Sequence, residues 1–208
     1  MRGKFITLEG PDGSGKSTIL NLLEKHFKEK NIDHIVTREP GGTKIGEDIR
    51  NIIISNDNQA MTPETEALLF AAARGQHVQE LIKPRLNSGT HVICDRFLLS
   101  SLAYQGLGRG LGIEEIRAIN NFGIKGLEPD LILFFHIDPE LTLARKTSNG
   151  GDRLEKEGNE YHNRVYNGYM KLIKEFPDNI KIIDARKSIE EVLEQSIVEI
   201  NKILWEGA

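Results

Sequence analysis

Gly10-Pro11-Asp12-Gly13-Ser14-Gly15-Lys16-Ser17 follows the phosphate-binding pattern G-x-x-x-x-G-K-[ST] without a gap. Its neighbours supply the context that pattern needs. Lys4-Phe5-Ile6-Thr7-Leu8-Glu9 is short and mostly apolar and reads as a buried strand, and Thr18-Ile19-Leu20-Asn21-Leu22-Leu23 opens a helix. Gly10, Gly13 and Gly15 let the backbone fold around an anion with its N–H groups turned inward, and the helix N-terminus adds partial positive charge. In such a loop Lys16 sits on the β- and γ-phosphates and the Ser17 hydroxyl on Mg²⁺. The competing reading, a glycine-rich turn with a chance Lys-Ser, fits poorly with a strand before and a helix after. The stretch points to a nucleoside triphosphate.

Outward from it, a helix over 16–30 carries Ile19, Leu22, Leu23, His26 and Phe27 on one face, and Asp33–Arg38 reads as a second strand. Strand, helix and strand in that order make a βαβ unit and imply a parallel sheet. The second strand runs into Thr37-Arg38-Glu39-Pro40-Gly41-Gly42. Ligands of open α/β sheets bind beyond the carboxyl ends of strands, so this is either a phosphate-facing loop or a solvated turn.

A helical pattern spans 43–54, and Thr62 and Pro63 start another as N-cap and N1, running towards Leu81 with Pro84 to kink or end it. Phe70 and Arg74 share a face of that helix. They could stack a nucleobase and bond its edge, but spacing alone favours a core ring beside a solvated neighbour.

The strand over 90–96 ends in Asp95-Arg96, and an Asp there is a candidate to hold Mg²⁺ or its water. Ser100, Ser101, Tyr104 and Gln105 follow within two helical turns. The apolar run 130–137 is a central buried strand, and Asp138 reads as the N-cap of the next helix rather than a metal ligand. Residues 145–153 form a cationic, glycine-bearing segment, either a flap or an ordinary loop. A helix through Tyr161, Val165, Tyr169 and Leu172, a short strand 180–184 and a helix 189–205 complete the pattern.

At 208 residues the chain is long enough for one domain with a full core. A net charge of −4 argues against a general nucleic-acid binder. Cys94 is the only cysteine, which excludes an internal disulfide and a cysteine zinc site. With neither signal peptide nor membrane span visible, the expectation is a cytoplasmic protein.

Several pieces in this order resemble the thymidylate kinase family. They are Leu8–Thr18, Thr37–Gly42, Phe70-Ala71-Ala72-Ala73-Arg74, Asp95-Arg96-Phe97, Ser100–Gly106, Pro129-Asp130-Leu131 and Asp152-Arg153-Leu154-Glu155. The likeness covers nearly the whole chain. It implies a P-loop NTPase fold, an α/β architecture with a five-stranded parallel sheet flanked by helices and a lid at about 145–156, in a single nucleotide-kinase domain. It also implies a homodimer that transfers a phosphoryl group from ATP to dTMP with Mg²⁺.

Carried over residue by residue, Gly10, Gly13, Ser14, Gly15, Lys16, Ser17 and Thr18 would hold ATP, with Arg145 packed on adenine. Arg38 and Arg96 would clamp the dTMP phosphate, and Phe70 would stack on thymine while Arg74 donates to its O4. Ser100, Ser101, Tyr104 and Gln105 would line the base and sugar pocket, and Asp12 would lie near the sugar, acceptor phosphate and metal, with Ser17 and Asp95 the other metal candidates. Leu99 stands where close relatives often carry Asp. The phosphate loop has no arginine, so a lid cation would neutralise the transferring phosphoryl, Arg153 being favoured over Lys146. A kinase for another nucleotide and a nucleotide-dependent switch are the rivals. The Asp-x-x-Gly and Asn-Lys-x-Asp signatures of a GTP switch are missing: Asp95-Arg96-Phe97-Leu98 lacks the glycine and Asn201-Lys202-Ile203-Leu204 the aspartate.

Overall fold

Alternation along β1 (Phe5–Glu9) divides the molecule into two apolar layers. Phe5 packs into one cluster with Val92, Phe97, Phe134 and Tyr169, while Ile6 and Leu8 join Ile19, Leu23, Ile93, Leu133 and Phe135 in the other. Thr7 and Glu9 share the parity of Phe5, so a carboxylate at the strand's end is carried into the first layer, fully buried.

The computed structural model describes residues 2–138, 141 and 151–205. With β1, the strands β2 (His34–Arg38), β3 (His91–Asp95), β4 (Leu131–His136) and β5 (Ile180–Asp184) form one parallel sheet, ordered β2-β3-β1-β4-β5. This is the expected α/β sheet. Near-continuous burial of β1 and β4 reflects helices on both faces. On one side lie α1 (Lys16–Glu29) and, later in the chain, the helix over Ile189–Trp205. On the other lie α2 (Lys44–Ile54), α3 (Pro63–His77), α4 (Lys83–Asn87), α5 (Leu98–Ser101), α6 (Ile113–Ile124) and α7 (Asn159–Glu175). The Ile189–Trp205 helix is α8.

Local chemistry accounts for the helix ends. Thr43 caps α2 by accepting from the Gly46 N–H at 3.0 Å, and Thr62 caps α3 from Thr65 at 3.3 Å, with Pro63 at N1. The helix that begins at Pro63 does not stop at Pro84. It widens into a π-helical stretch, Val78–Ile82, and resumes as α4 with Pro84 in its first turn. Proline lacks the N–H of a regular turn, which the wider stretch ahead of it accommodates. The third strand is one residue shorter at each end than its sequence suggests. It closes at Asp95, and Arg96 turns to φ 70°.

Register sets the site. Asp95 lies opposite Leu8 of β1 and Arg38 of β2, so the carboxyl ends of three strands, and the segments leaving them, converge. Pro139, Glu140, Arg145 and Lys146 lie outside the described residues.

Candidate active site

The phosphate loop leaves β1 through backbone that only glycine adopts without strain. Gly10 has φ 139°, and a Cβ there would stand 2.7 Å from the Phe135 carbonyl oxygen. Gly15, at φ 88°, forms the N-cap of α1. Ser17 and Thr18 stand exposed at that helix end. Lys16 folds back over the loop, donating from Nζ to the carbonyls of Gly10 (3.1 Å) and Pro11 (2.9 Å) and to Ser14 Oγ (3.4 Å). Burial, together with the nearby Arg96 charge, brings its pKa down from 10.5 to about 8.

Asp95 adjoins this loop. Its Oδ2 lies 3.5 Å from the Ser17 hydroxyl, and its Oδ1 is buried without a hydrogen-bond partner. An orphaned carboxylate oxygen beside a hydroxyl at a phosphate loop fits Mg²⁺ or one of its waters. No cluster of three or more His, Cys, Asp or Glu able to hold a metal occurs among the described residues.

Asp12 links the loop to what lies beyond β3. Arg96 Nη2 donates to Asp12 Oδ1 at 2.6 Å and to the Tyr104 hydroxyl at 3.2 Å; Nη1 donates to Ser100 Oγ (2.9 Å) and the Tyr169 hydroxyl (3.1 Å). Tyr104 in turn donates to Asp12 Oδ2 at 3.1 Å. Burial works against ionised Asp12, but the Arg96 and Lys16 charges outweigh it and hold the carboxyl well below the usual range. Beneath this cluster Glu9 accepts from the Phe97 N–H (2.8 Å) and the Ser100 hydroxyl (2.5 Å), fixing the turn that carries Arg96. Desolvation raises the Glu9 pKa.

A cleft opens beside these groups. Asp12, Phe70, Arg74, Arg96, Ser100, Ser101, Tyr104 and Gln105 all line it, so the structure brings together the sequence-selected acceptor residues apart from Arg38. Phe70 is half-buried and belongs to neither apolar cluster, which sets aside its reading as core.

Arg74 is only 2% exposed and is no solvated neighbour. It donates from Nε to Glu39 (2.6 Å), from Nη1 to Ser101 (2.9 Å) and Asn120 (2.5 Å), and from Nη2 to the Phe97 carbonyl (3.0 Å). Of five guanidinium N–H groups, one is left for a ligand. His77 holds the other oxygen of Glu39 at 3.0 Å. Arg38 turns onto Glu47 (3.0 Å) and the Pro40 carbonyl, and Arg50 joins it on that carbonyl at 3.1 Å and lines the cleft.

A tight turn begins at Asp152. Asp152 Oδ1 accepts the N–H groups of Leu154 and Glu155, both at 2.9 Å, and Glu155 Oε2 accepts the Asp152 N–H at 3.2 Å, a reciprocal capping box. Arg153 lies in this turn. Expected at the transferring phosphoryl, it is 5% exposed and donates to Glu66 Oε2 (2.7 Å) and the Ile53 carbonyl (2.8 Å). Its guanidinium ties this segment to α2 and α3. Leu99 is buried in the first apolar layer, where a carboxylate would be desolvated.

Glu9, Glu39, Arg50, Glu66 and Tyr169 were not singled out from sequence. Glu9 carries one signal, a charge closing a buried strand; Glu39, Glu66 and Tyr169 have partners far along the chain.

A family model described as thymidylate kinase matches residues 8–196. The thymidylate kinase of Finegoldia magna is 58% identical over 93% of this chain and 95% of its own length. That of Clostridium novyi is 49% identical over 93% and 96%. A crystal structure of thymidylate kinase from Ehrlichia chaffeensis superposes with a TM-score of 0.78 at 31% identity, covering 97% of this chain and 99% of that one. With a matching family model, full-length relatives and a shared P-loop NTPase fold, this chain belongs to the thymidylate kinase family, the enzymes that phosphorylate dTMP.

Proposed function

We propose that this chain, acting as one nucleotide-kinase domain, moves the γ-phosphoryl group of ATP to dTMP by direct in-line transfer. The observation that supports this most is Asp12: it belongs to the phosphate loop yet lines the neighbouring cleft and pairs with Arg96, so donor and acceptor sites meet at one ion pair. Gly10, Gly13, Ser14, Gly15, Lys16, Ser17 and Thr18 hold the ATP phosphates, with Arg145 on adenine. Arg96 and Arg38 clamp the acceptor phosphate; Arg38 reaches it by leaving Glu47, a half-exposed pair that costs little to break. Phe70 stacks the base, Arg74 offers its remaining N–H, and Ser100, Ser101, Tyr104 and Gln105 shape the pocket. Ser17 and Asp95, with Asp12 nearby, would hold Mg²⁺, which when bound offsets charge on the β- and γ-phosphates.

A phosphate oxygen is already an adequate nucleophile, so the protein's work is alignment and charge. The lid cation at the transferred phosphoryl is Arg153, on leaving Glu66, or Lys146. Ile45 and Ile52 on α2, Leu68 on α3 and Phe122 on α6 are exposed apolar residues on helices that pack side by side, which supports a homodimer through that face. No described helix is long and apolar enough to cross a membrane. We place the enzyme in the cytoplasm, without a nucleic-acid partner.

The test is ADP release from ATP and Mg²⁺ with dTMP, dUMP, AMP, GMP, CMP or no acceptor. Strongest release with dTMP is expected. A purine preference would overturn the base assignment, and release independent of any acceptor would overturn the kinase reading.

A further inference from the structure

Glu66 lies in the first turn of α3, where an acid is ordinarily a solvated complement to the helix N-terminus. Here it is 1% exposed. Its two oxygens are divided between two parts of the molecule. Oε1 accepts from Gln105 Nε2 at 3.0 Å, and Oε2 accepts from Arg153 Nη2 at 2.7 Å. Arg109 spans both, from Nε to Oε1 at 3.2 Å and from Nη2 to Oε2 at 2.9 Å. One oxygen therefore holds a wall of the acceptor cleft and the other the base of the lid.

Both ends are tied further. Arg153 donates from Nε to the Ile53 carbonyl, and its backbone N–H donates to the Ile54 carbonyl at 3.2 Å. Arg109 lies 4.4 Å over the Tyr161 ring and pairs with Glu157 at 2.6 Å. Burial disfavours ionised Glu66, but hydrogen bonds from Arg109, Gln105 and Arg153 more than offset it and keep the carboxyl below its ordinary value. No neutral side chain reproduces this arrangement. Glutamine offers one acceptor oxygen, and its NH₂ would face another donor.

We propose that Glu66 is a positioning residue that couples occupancy of the acceptor cleft to closure of the lid base, a role that rests on reading this cleft as the dTMP site. A ligand that fixes Gln105 fixes Glu66 through Oε1. Arg153 can then swing out only by giving up a charged hydrogen bond to a buried carboxylate and leaving Oε2 to Arg109 alone, so a filled cleft holds the lid base shut. An empty cleft leaves Gln105 free to follow, and the latch loosens.

The experiment is amide hydrogen exchange over residues 151–157, with and without dTMP and in the absence of ATP, alongside calorimetric titration of dTMP. In the wild type, dTMP should slow exchange in this segment at least about tenfold, a change that a local opening equilibrium readily shows. In Glu66→Gln the segment should exchange fast with or without dTMP, and kcat should fall more than the KM for dTMP rises. Bound dTMP that leaves wild-type exchange unchanged, or a folded Glu66→Gln that keeps the full response, overturns the coupling. Failure of dTMP to bind the wild type at all sinks the reading of the cleft instead. Should Glu66→Gln not fold, a double-mutant cycle of Gln105→Ala and Arg153→Lys decides through kcat/KM. The two residues share Glu66, so their effects should depart from additivity by at least about threefold; additive effects overturn the proposal.

Discussion

The Tyr169 hydroxyl accepts a hydrogen bond from Arg96 at 3.1 Å and lies 2.9 Å from Ser100 Oγ, so a residue late in the chain, on α7, sets the pose of the guanidinium at the end of β3. The ring itself is fully buried, tilted 5.2 Å from Phe134 and edge-on to Tyr104. Tyr169→Phe keeps that packing and removes only the oxygen. A hydrogen bond to a charged group is worth about 1.5–3 kcal/mol, so kcat/KM for dTMP should fall about tenfold or more, chiefly through KM, with kcat for saturating ATP less affected. Unchanged kinetics would show that Asp12, Tyr104 and Ser100 orient Arg96 without help from Tyr169.

Arg74 is integrated far more deeply than a base-reading residue needs to be. Its removal in Arg74→Ala leaves Glu39, itself 4% exposed, facing only His77 in a desolvated site. Breaking such a buried pair costs about 3–5 kcal/mol. The midpoint of urea unfolding should drop accordingly, independent of any ligand. A loss below about 1 kcal/mol, the scale of an exposed pair, would mean that solvent or another cation replaces the guanidinium.

What could be read from sequence alone follows from how far apart partners stand. The phosphate loop and the capping of α3 by Thr62 depend on neighbours within a few residues, and both are visible in the letters. The parallel sheet follows from alternating apolar runs. Asp12 and Arg96 could be named separately, yet their pairing spans 84 residues and is made only by the register that brings β1 and β3 side by side. Glu66 is a more complete case. On α3 it looks like a first-turn acid, and only the arrival of Gln105, Arg109 and Arg153 from other elements makes it a buried hub. Spacing also misjudged Phe70 and Arg74. They share a face, but that face borders a cleft, and periodicity cannot tell a cleft from a core.

Phe122, 90% exposed on α6, is the most exposed large apolar residue of the face proposed for dimerisation. Phe122→Asp should convert a dimer into a monomer in sedimentation equilibrium at micromolar concentration, because a charge there would be buried without a partner. A wild type that already sediments as a monomer would reject this face as an interface.

The unpartnered Asp95 Oδ1 gives the metal reading a direct check. Asp95→Asn preserves shape but removes the charge. Groups that touch a metal or its waters typically shift affinity about 10–100-fold, so half-maximal activity should need correspondingly more Mg²⁺. Chelation should abolish turnover in both proteins. An unchanged Mg²⁺ dependence would leave Ser17 as the protein ligand and Asp95 without a metal role.

Lys16 makes nucleotide affinity and stability respond to pH in opposite directions. With a pKa of about 8, its ammonium is about nine-tenths protonated at pH 7 and about one-tenth at pH 9. If ATP is held by the charged form, affinity measured by calorimetry should weaken about tenfold between those values, in a range where Arg96 stays charged and ATP has finished titrating. Folding alone shows the reverse. The unfolded chain carries an ordinary lysine near 10.5, so between pH 8 and 10.5 it binds more protons than the native state, and the Lys16 contribution to ligand-free stability rises with pH. Lys16→Met should flatten both responses, since it removes the titrating group and keeps the stem. Flat ATP affinity from pH 7 to 9 in the wild type would show that the ammonium is not depressed, and would place its hydrogen bonds to Gly10 and Pro11 above burial in setting its charge.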